Sequence, residues 1–169
     1  VTNDLSAAVN LVDAEASATG ELVYEVVSRM DPDFGLDVAL NLYTAILTDT
    51  GSFHYSNSTP RSFVIAGELV RRGVDPWLVA QQVYECQPPG RIELIGETLR
   101  TLQRSASGAA AGVVITREVF RRTGTNAEHS DSLVNYPRSI AGVEVAFLLR
   151  EEDDGRFKLS FRSRGAVNV

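Results

Sequence analysis

The residues best suited to chemistry lie in one stretch, ILTDTGSFHYSNST at positions 46–59, where Asp49 stands between two threonines and Gly51 just as an apolar helical pattern stops. Two readings compete. Asp and Thr are ordinary helix-end and turn residues whose side chains bond nearby backbone, and a glycine supplies the positive φ that a reversal needs. Alternatively, Asp49 is a metal ligand, since a carboxylate suits hard divalent cations. His54, five residues on, could approach the same site, although a lone loop histidine is more often exposed or hydrogen-bonded. His129 has only Glu128 and Asp131 beside it, and surface solvation suits it better. No HExxH, phosphate-binding loop, GxSxG or GxGxxG stands in a supporting context, which counts against those hydrolases and nucleotide folds.

The elements that must position these residues are mostly helical. SATGELVYEVVSRM carries Leu22, Val23, Val26, Val27 and Met30 at helical spacing, with Ser17 or Thr19 as its cap. A second helix over 36–47 would turn Val38, Leu42, Ala45 and Ile46 to a core and end at the Asp49 corner. Further helices are predicted over 60–72, 76–85 and about 91–104, with Pro at their starts and Gly73 or Pro88-Pro89 at their ends. Small residues at 105–108 mark a domain boundary. Beyond it, 109–115 reads as a buried strand, 116–122 as a short helix, and 131–138 as a helix or turn. Val143, Val145, Phe147 and Leu149 alternate on one face, the EEDDG run turns, and Phe157, Leu159 and Phe161 alternate again, which is a β-hairpin.

With 169 residues, 44% of them hydrophobic, the chain can bury one sizeable core or two small ones. It lacks the roughly 18-residue apolar run of a membrane span, and its start has no signal-peptide pattern, so a cytoplasmic protein without a membrane partner is expected. The single cysteine, Cys86, reads as a small buried or half-buried hydrophobe. The net charge of −6 gives no average field for a polyanion, so long duplex nucleic acid is not the expected partner. Yet arginines cluster in the middle (Arg71, Arg72, Arg91, Arg100, Arg104, Arg117, Arg121, Arg122) and, with Lys158, at the end (Arg156, Arg162, Arg164). Such a set suits fork-like phosphate contacts, although any one of them can be a solvated surface residue.

In this order, the blocks VDAEASATGELVYEVV, YTAILTDTGSFHYSNST, SLVNYPRSIAGVEVAFLLRE and FKLSFRSRGAVNV resemble the DHH superfamily of phosphoesterases with its DHH-associated C-terminal domain. Within it, the likeness is to the nanoRNase (oligoribonuclease) and 3′-phosphoadenosine 5′-phosphate phosphatase group. It runs over nearly the whole chain, and TDTGSF and FRSRG are its specific parts. It implies an α/β fold: the helical C-terminal part of a DHH domain with a linker helix (1–104), joined to a small mixed α/β DHH-associated substrate-binding domain (105–169). It also implies hydrolysis of short RNA and 3′-phosphoadenosine 5′-phosphate by two Mn2+ ions, with Mg2+ or Co2+ as substitutes, in a homodimer. Asp49 would match the family's last metal-binding aspartate and so be both catalytic and metal-binding. Arg162 and Ser163 would face the cleft and hold substrate, with Asn135, Arg138 and His54 as further substrate-binding candidates.

The same resemblance places the family's Asp-His-His triplet just before Val1 and its glycine-rich run, ending in His, after the FRSRG region. The sequence therefore looks like an interior fragment, expected to be inert by itself and to leave helices without the strands they would cover. Cyclic dinucleotides are an alternative substrate class, and a catalytically inactive nucleotide-binding module is a reading from outside the enzymes. Pyrophosphate hydrolysis is disfavoured by the C-terminal hairpin with FRSRG.

Overall fold

A computed structural model of the chain describes residues 9–165 and 167–169. The fold is mixed α/β and divides into two compact units between Cys86 and Gln87.

The first unit is helical: α1 (Thr19–Met30), α2 (Leu36–Asp49), α3 (Pro60–Arg71) and α4 (Pro76–Ala80), the last running into one π turn over Gln81–Glu85. Local signals set the starts of α3 and α4. Thr59 and Ser62 form a reciprocal capping box with Pro60 at the first position, and Asp75 accepts from the amides of Trp77 and Leu78 at 2.9 and 3.3 Å. At α1 the expectation fails. Ala18 is the cap residue, and the Ser17 hydroxyl donates to the Glu21 carboxylate instead of accepting a backbone amide. Helix α2 forms the middle of the core, burying Ala39, Leu42, Tyr43, Ile46 and Leu47 against Phe34, Ile65 and Leu69. Val38, expected inside, is exposed; Ala39, one position on, takes the core-facing place. In α1 the buried residues are Gly20 and Glu21, whereas Met30 is 80% exposed. Gly20 explains this geometry, because a Cβ there would stand 3.0 Å from Ala45 Cβ and 3.3 Å from Ile46 Cγ1. Backbone meets α2 at that point, and the Val23 and Val26 side chains stay half-exposed.

The second unit contains α5 (Pro89–Arg100), β1 (Gln103–Arg104), β2 (Ala110–Ile115), α6 (Arg117–Thr123), a 3-10 turn (Ala127–Ser130), α7 (Asn135–Ser139), β3 (Val145–Glu151) and β4 (Phe157–Ser163). The sheet order is β1-β2-β3-β4, with β2 and β3 parallel and the outer pairs antiparallel. The helix expected through 104 stops at Arg100 because Thr101 joins the sheet. Its hydroxyl donates to the Val114 carbonyl at 3.1 Å and accepts the Val114 amide at 2.8 Å. Leu94 of this helix is fully buried with Ala111, Val113, Ile115, Ala146 and Leu148, so α5 packs within the second unit, and the small residues 105–108 form the turn between β1 and β2.

Within this unit, the described helices pack on one face of the sheet. Strand alternation places Ala111, Val113, Ile115, Ala146 and Leu148 on that face, and Val145, Phe147 and Leu149 on the other. The latter pair with Ser163, Phe161 and Leu159, and Phe161 and Leu159 remain 43% and 46% exposed. The hairpin is thus as expected, but its aromatic residues Phe147 and Phe161 line the open face while Ala146 and Leu148 fill the core. Val143 precedes β3 and is buried. Cys86 is exposed, contrary to the expectation of a buried hydrophobe. Among the described residues, no helix is long and apolar enough to cross a membrane.

Candidate functional site

Asp49 is the last residue of α2, and its side chain is exposed. The turn after it is unusual. Gly51, Ser52 and Phe53 take φ values of 56°, 61° and 64°, three consecutive residues in the left-handed region. A non-glycine there costs about 1–2 kcal/mol, so the surroundings must hold the turn. Two contacts do so. The buried Thr50 hydroxyl donates to the Ile46 carbonyl at 2.6 Å and accepts the Phe53 amide at 3.1 Å. The Phe53 ring stacks on Phe63 at 4.9 Å. Glycine is required at 51 on two counts, its φ and the Tyr55 ring, whose Cζ would lie 2.5 Å from a Cβ.

His54 is exposed on the same corner, its Nδ1 against the Gly51 carbonyl and its ring 4.5 Å from that of Tyr55. Asn57 returns the chain to the helix end. Its amino group donates to the Asp49 carbonyl at 3.1 Å and to the Ser17 carbonyl at 2.8 Å. Beside this bridge lies an ionic cluster. Arg61 pairs with Asp13 at 2.9 Å, with Glu25, and with the fully buried Glu21 at 3.5 Å. Asp13 is held below the usual carboxylate range, foremost by the amide of Glu15 and then by Arg61; Arg61 is raised in turn, chiefly by its bond to Asp13. Sequence reasoning missed Asn57, Glu21 and Arg61. The available signal was Glu21 itself, a carboxylate between Gly20 and Leu22 at the start of a helix.

In the second unit, Arg162 and Ser163 sit at the end of β4 and, as consecutive strand residues, belong to opposite faces. Arg162 pairs with Ala146 on the helix-covered face and donates from Nη1 to the Phe161 carbonyl at 2.8 Å. Ser163 pairs with Val145 on the open face, and its hydroxyl accepts the Gly165 amide at 3.2 Å. Asn135 opens α7 and Arg138 lies near its end, both half-buried. Arg164 joins the two regions, donating from Nε to the Arg138 carbonyl at 3.2 Å. Several other arginines are already engaged: Arg71 with Glu68, Arg121 with Glu118, Arg122 with Glu97 at 2.5 Å and Arg156 with Asp154 at 2.6 Å. A groove of about 600 Å³ beside α6 is likewise mixed in sign, with Arg117, Arg121 and Arg150 facing Glu118, Glu152 and Asp153.

Chemically, Asp49 offers an unencumbered carboxylate at a rigid corner. Among the described residues, no three His, Cys, Asp or Glu converge as a metal-binding group, so these side chains do not make a complete metal centre; Asp49 can supply one ligand to such a centre.

No protein-family model matches the chain. A solved exopolyphosphatase-related protein from Bacteroides fragilis superposes with a TM-score of 0.85 at 30% identity, over 92% of this chain and 46% of that one. The chain is also 30% identical, over 99% of its length, to the bifunctional oligoribonuclease and PAP phosphatase NrnA of Thermus thermophilus, and 30% identical over 92% to the protein of the same name from Bacillus subtilis. It spans about half the length of these curated relatives, 50% in each case. The resemblance to this group of DHH phosphoesterases, stated from TDTGSF and FRSRG, is borne out: the chain is a homologue of these bifunctional proteins over the half of their length that it matches.

Proposed function

We propose that this chain is part of a phosphoesterase that hydrolyses short RNA oligonucleotides and 3′-phosphoadenosine 5′-phosphate. The observation that carries the reading is the match to a bifunctional oligoribonuclease and PAP phosphatase over 99% of the chain. The corner geometry supports it, because α2 ends on an exposed carboxylate fixed by a strained, well-anchored turn.

In this reading Asp49 contributes one ligand to a divalent-metal centre, for which we propose Mn2+. A bound metal would supply an activated water and neutralise charge developing on the phosphoryl oxygens. Arg162 offers a guanidinium for a substrate phosphate, and Ser163, on the other face of β4, would meet a different part of the ligand or none. Asp49 alone cannot hold two ions, so the 169 residues assayed by themselves are expected to be inactive.

The test is Asp49→Asn in the full-length protein, assayed on a 5′-phosphorylated RNA dinucleotide and on 3′-phosphoadenosine 5′-phosphate with Mn2+. Turnover of both should be abolished with the circular dichroism spectrum unchanged. Retained activity would remove Asp49 from the metal site.

A further inference from the structure

We propose that Asn57 is a positioning residue for Asp49, clasping the end of α2 to a point ahead of α1 that buried Glu21 and Arg61 hold in place. The proposal rests on the reading of Asp49 as a metal ligand, and the experiment below separates the two.

The last carbonyls of an α-helix have no partner within the helix, and water usually satisfies them. At Asp49 a side chain does so. Asn57 Nδ2 donates to the Asp49 carbonyl at 3.1 Å and to the Ser17 carbonyl at 2.8 Å. Two carbonyl acceptors can be met only by the amino end of a carboxamide, so the orientation of this side chain is set by chemistry, and both of its protons are used. One bond closes the loop over 50–56 onto the residue that carries the carboxylate. The other ties that loop to the segment entering α1.

The anchor is itself braced. Ser17 is 5% exposed, and its hydroxyl donates to Glu21, whose carboxylate is fully buried. Burying a carboxylate is unfavourable unless cations and donors compensate it. Here compensation is partial: among the described residues, Glu21 Oε2 has no hydrogen-bond donor and faces the Arg61 guanidinium at 3.5 Å. Arg61 comes from the first turn of α3 and also binds Asp13 and Glu25. The segment entering α1, the end of α2 and the start of α3 are therefore cross-linked beside Asp49, next to a turn that has three residues in the left-handed region. A partly compensated buried oxygen and a strained turn both work against stability. What they supply together is a fixed place for one exposed carboxylate.

The experiment compares the full-length protein with its Asn57→Leu and Asp49→Asn variants. Leucine keeps the shape and removes both donors. The first readout, made without metal, is amide hydrogen exchange at Ser52 and Tyr55, whose N–H groups donate to the Leu47 and Thr50 carbonyls at 2.8 and 3.0 Å. The second is Mn2+ affinity, from the electron paramagnetic resonance signal of the free ion. Loss of two hydrogen bonds should speed exchange at Ser52 and Tyr55 by about tenfold or more and weaken Mn2+ by about tenfold, with α3 and the second unit unchanged. Asp49→Asn should lose Mn2+ and keep normal exchange. If Asp49→Asn weakens Mn2+ but Asn57→Leu leaves both readouts at wild-type values, the positioning role is refuted. Loss of protection throughout the first unit would make Asn57 a general fold residue and refute it as well. If Asp49→Asn binds Mn2+ normally, the metal reading of Asp49 fails on its own, and positioning for that purpose goes with it, whatever the exchange shows about the clasp. If Asn57→Leu does not fold, Asn57→Ser, which keeps one donor, takes its place under the same criteria.

Discussion

The corner after α2 makes a quantitative demand on Gly51. Alanine there would meet two penalties. Holding an L-residue at a φ of 56° costs about 1–2 kcal/mol, and its Cβ would stand 2.5 Å from the Tyr55 Cζ, where ordinary contact begins near 3.4 Å. Tyr55 must move about 1 Å, and overpacking of this kind costs about 1–3 kcal/mol, with the lower part of that range applying because a half-buried ring can give way. Gly51→Ala should therefore destabilise the first unit by about 2–4 kcal/mol, a shift of about 1–2 M in the urea midpoint. Gly67→Ala is the matched control. Gly67 lies inside α3, and a Cβ there meets nothing within 4 Å, so the same substitution should stabilise by about 0.5–1 kcal/mol. Urea unfolding followed by circular dichroism, with Trp77 fluorescence as the probe of the first unit, measures both. If Gly51→Ala falls within about 0.5 kcal/mol of wild type, or moves in the same direction as Gly67→Ala, the account of a strained and filled corner is wrong.

Three other outcomes follow from the structure. The folded-state pKa of Asp13 is lowered, so its stabilising effect is complete above the unfolded value of about 4 and is lost as pH falls through the folded value; the stability gap between wild type and Asp13→Asn should close on acidification, and a constant gap would contradict this. The open sheet face, with Leu159 and Phe161 half-exposed, should bind a hydrophobic dye such as anilinonaphthalene sulfonate in the 169-residue chain, and replacing both residues by Thr should sharply reduce the fluorescence; no dye binding, with a monomeric cooperative transition, would refute an accessible apolar face. In the full-length protein, Arg162→Ala should raise KM for 5′-phosphorylated RNA about tenfold with little change in kcat, whereas an unchanged KM for every nucleotide tried would return Arg162 to the solvated surface.

Much of this fold is legible in the chain because short-range chemistry dictates it. Pro60 and Pro76 announce helix starts, Gly73 a helix end, and the EEDDG run the β3–β4 turn, and each works through neighbouring backbone groups. The failures come where tertiary contacts decide. Helical periodicity puts Val23, Val26 and Met30 on an inner face, but Gly20 lets the α2 backbone approach a different side of α1, so Glu21 goes inside and Met30 stays out. Residues 101–104 continue a helical pattern, yet the pairing of Thr101 with Val114 draws them to the sheet. Alternation within the hairpin reveals the strands but cannot tell which face the helices cover, and it is Ala146 and Leu148 that face the core. At the candidate site, TDTG reveals Asp49 and the turn. Two partners of that turn, Asn57 and Ser17, meet only through folding, across a sequence separation of 40 for which periodicity holds no signal.

The sheet of the second unit also bears on how fast that unit is made. Its β3–β4 pair closes through a tight turn at 152–156, a local event on the microsecond scale, whereas the parallel β2–β3 pair cannot form until the chain over 116–144 has been looped back with α6 and α7 in place. The loop entropy is spent before the parallel ladder returns any of it. A hairpin that forms early therefore waits, its half-exposed phenylalanines and leucine uncovered on one side, for the slower docking of β2. During synthesis this interval leaves the β2-facing edge of β3 open to neighbouring chains, whereas β4, the outer strand of the sheet, carries Lys158 and Arg162, whose positive charge opposes edge pairing with a copy of itself.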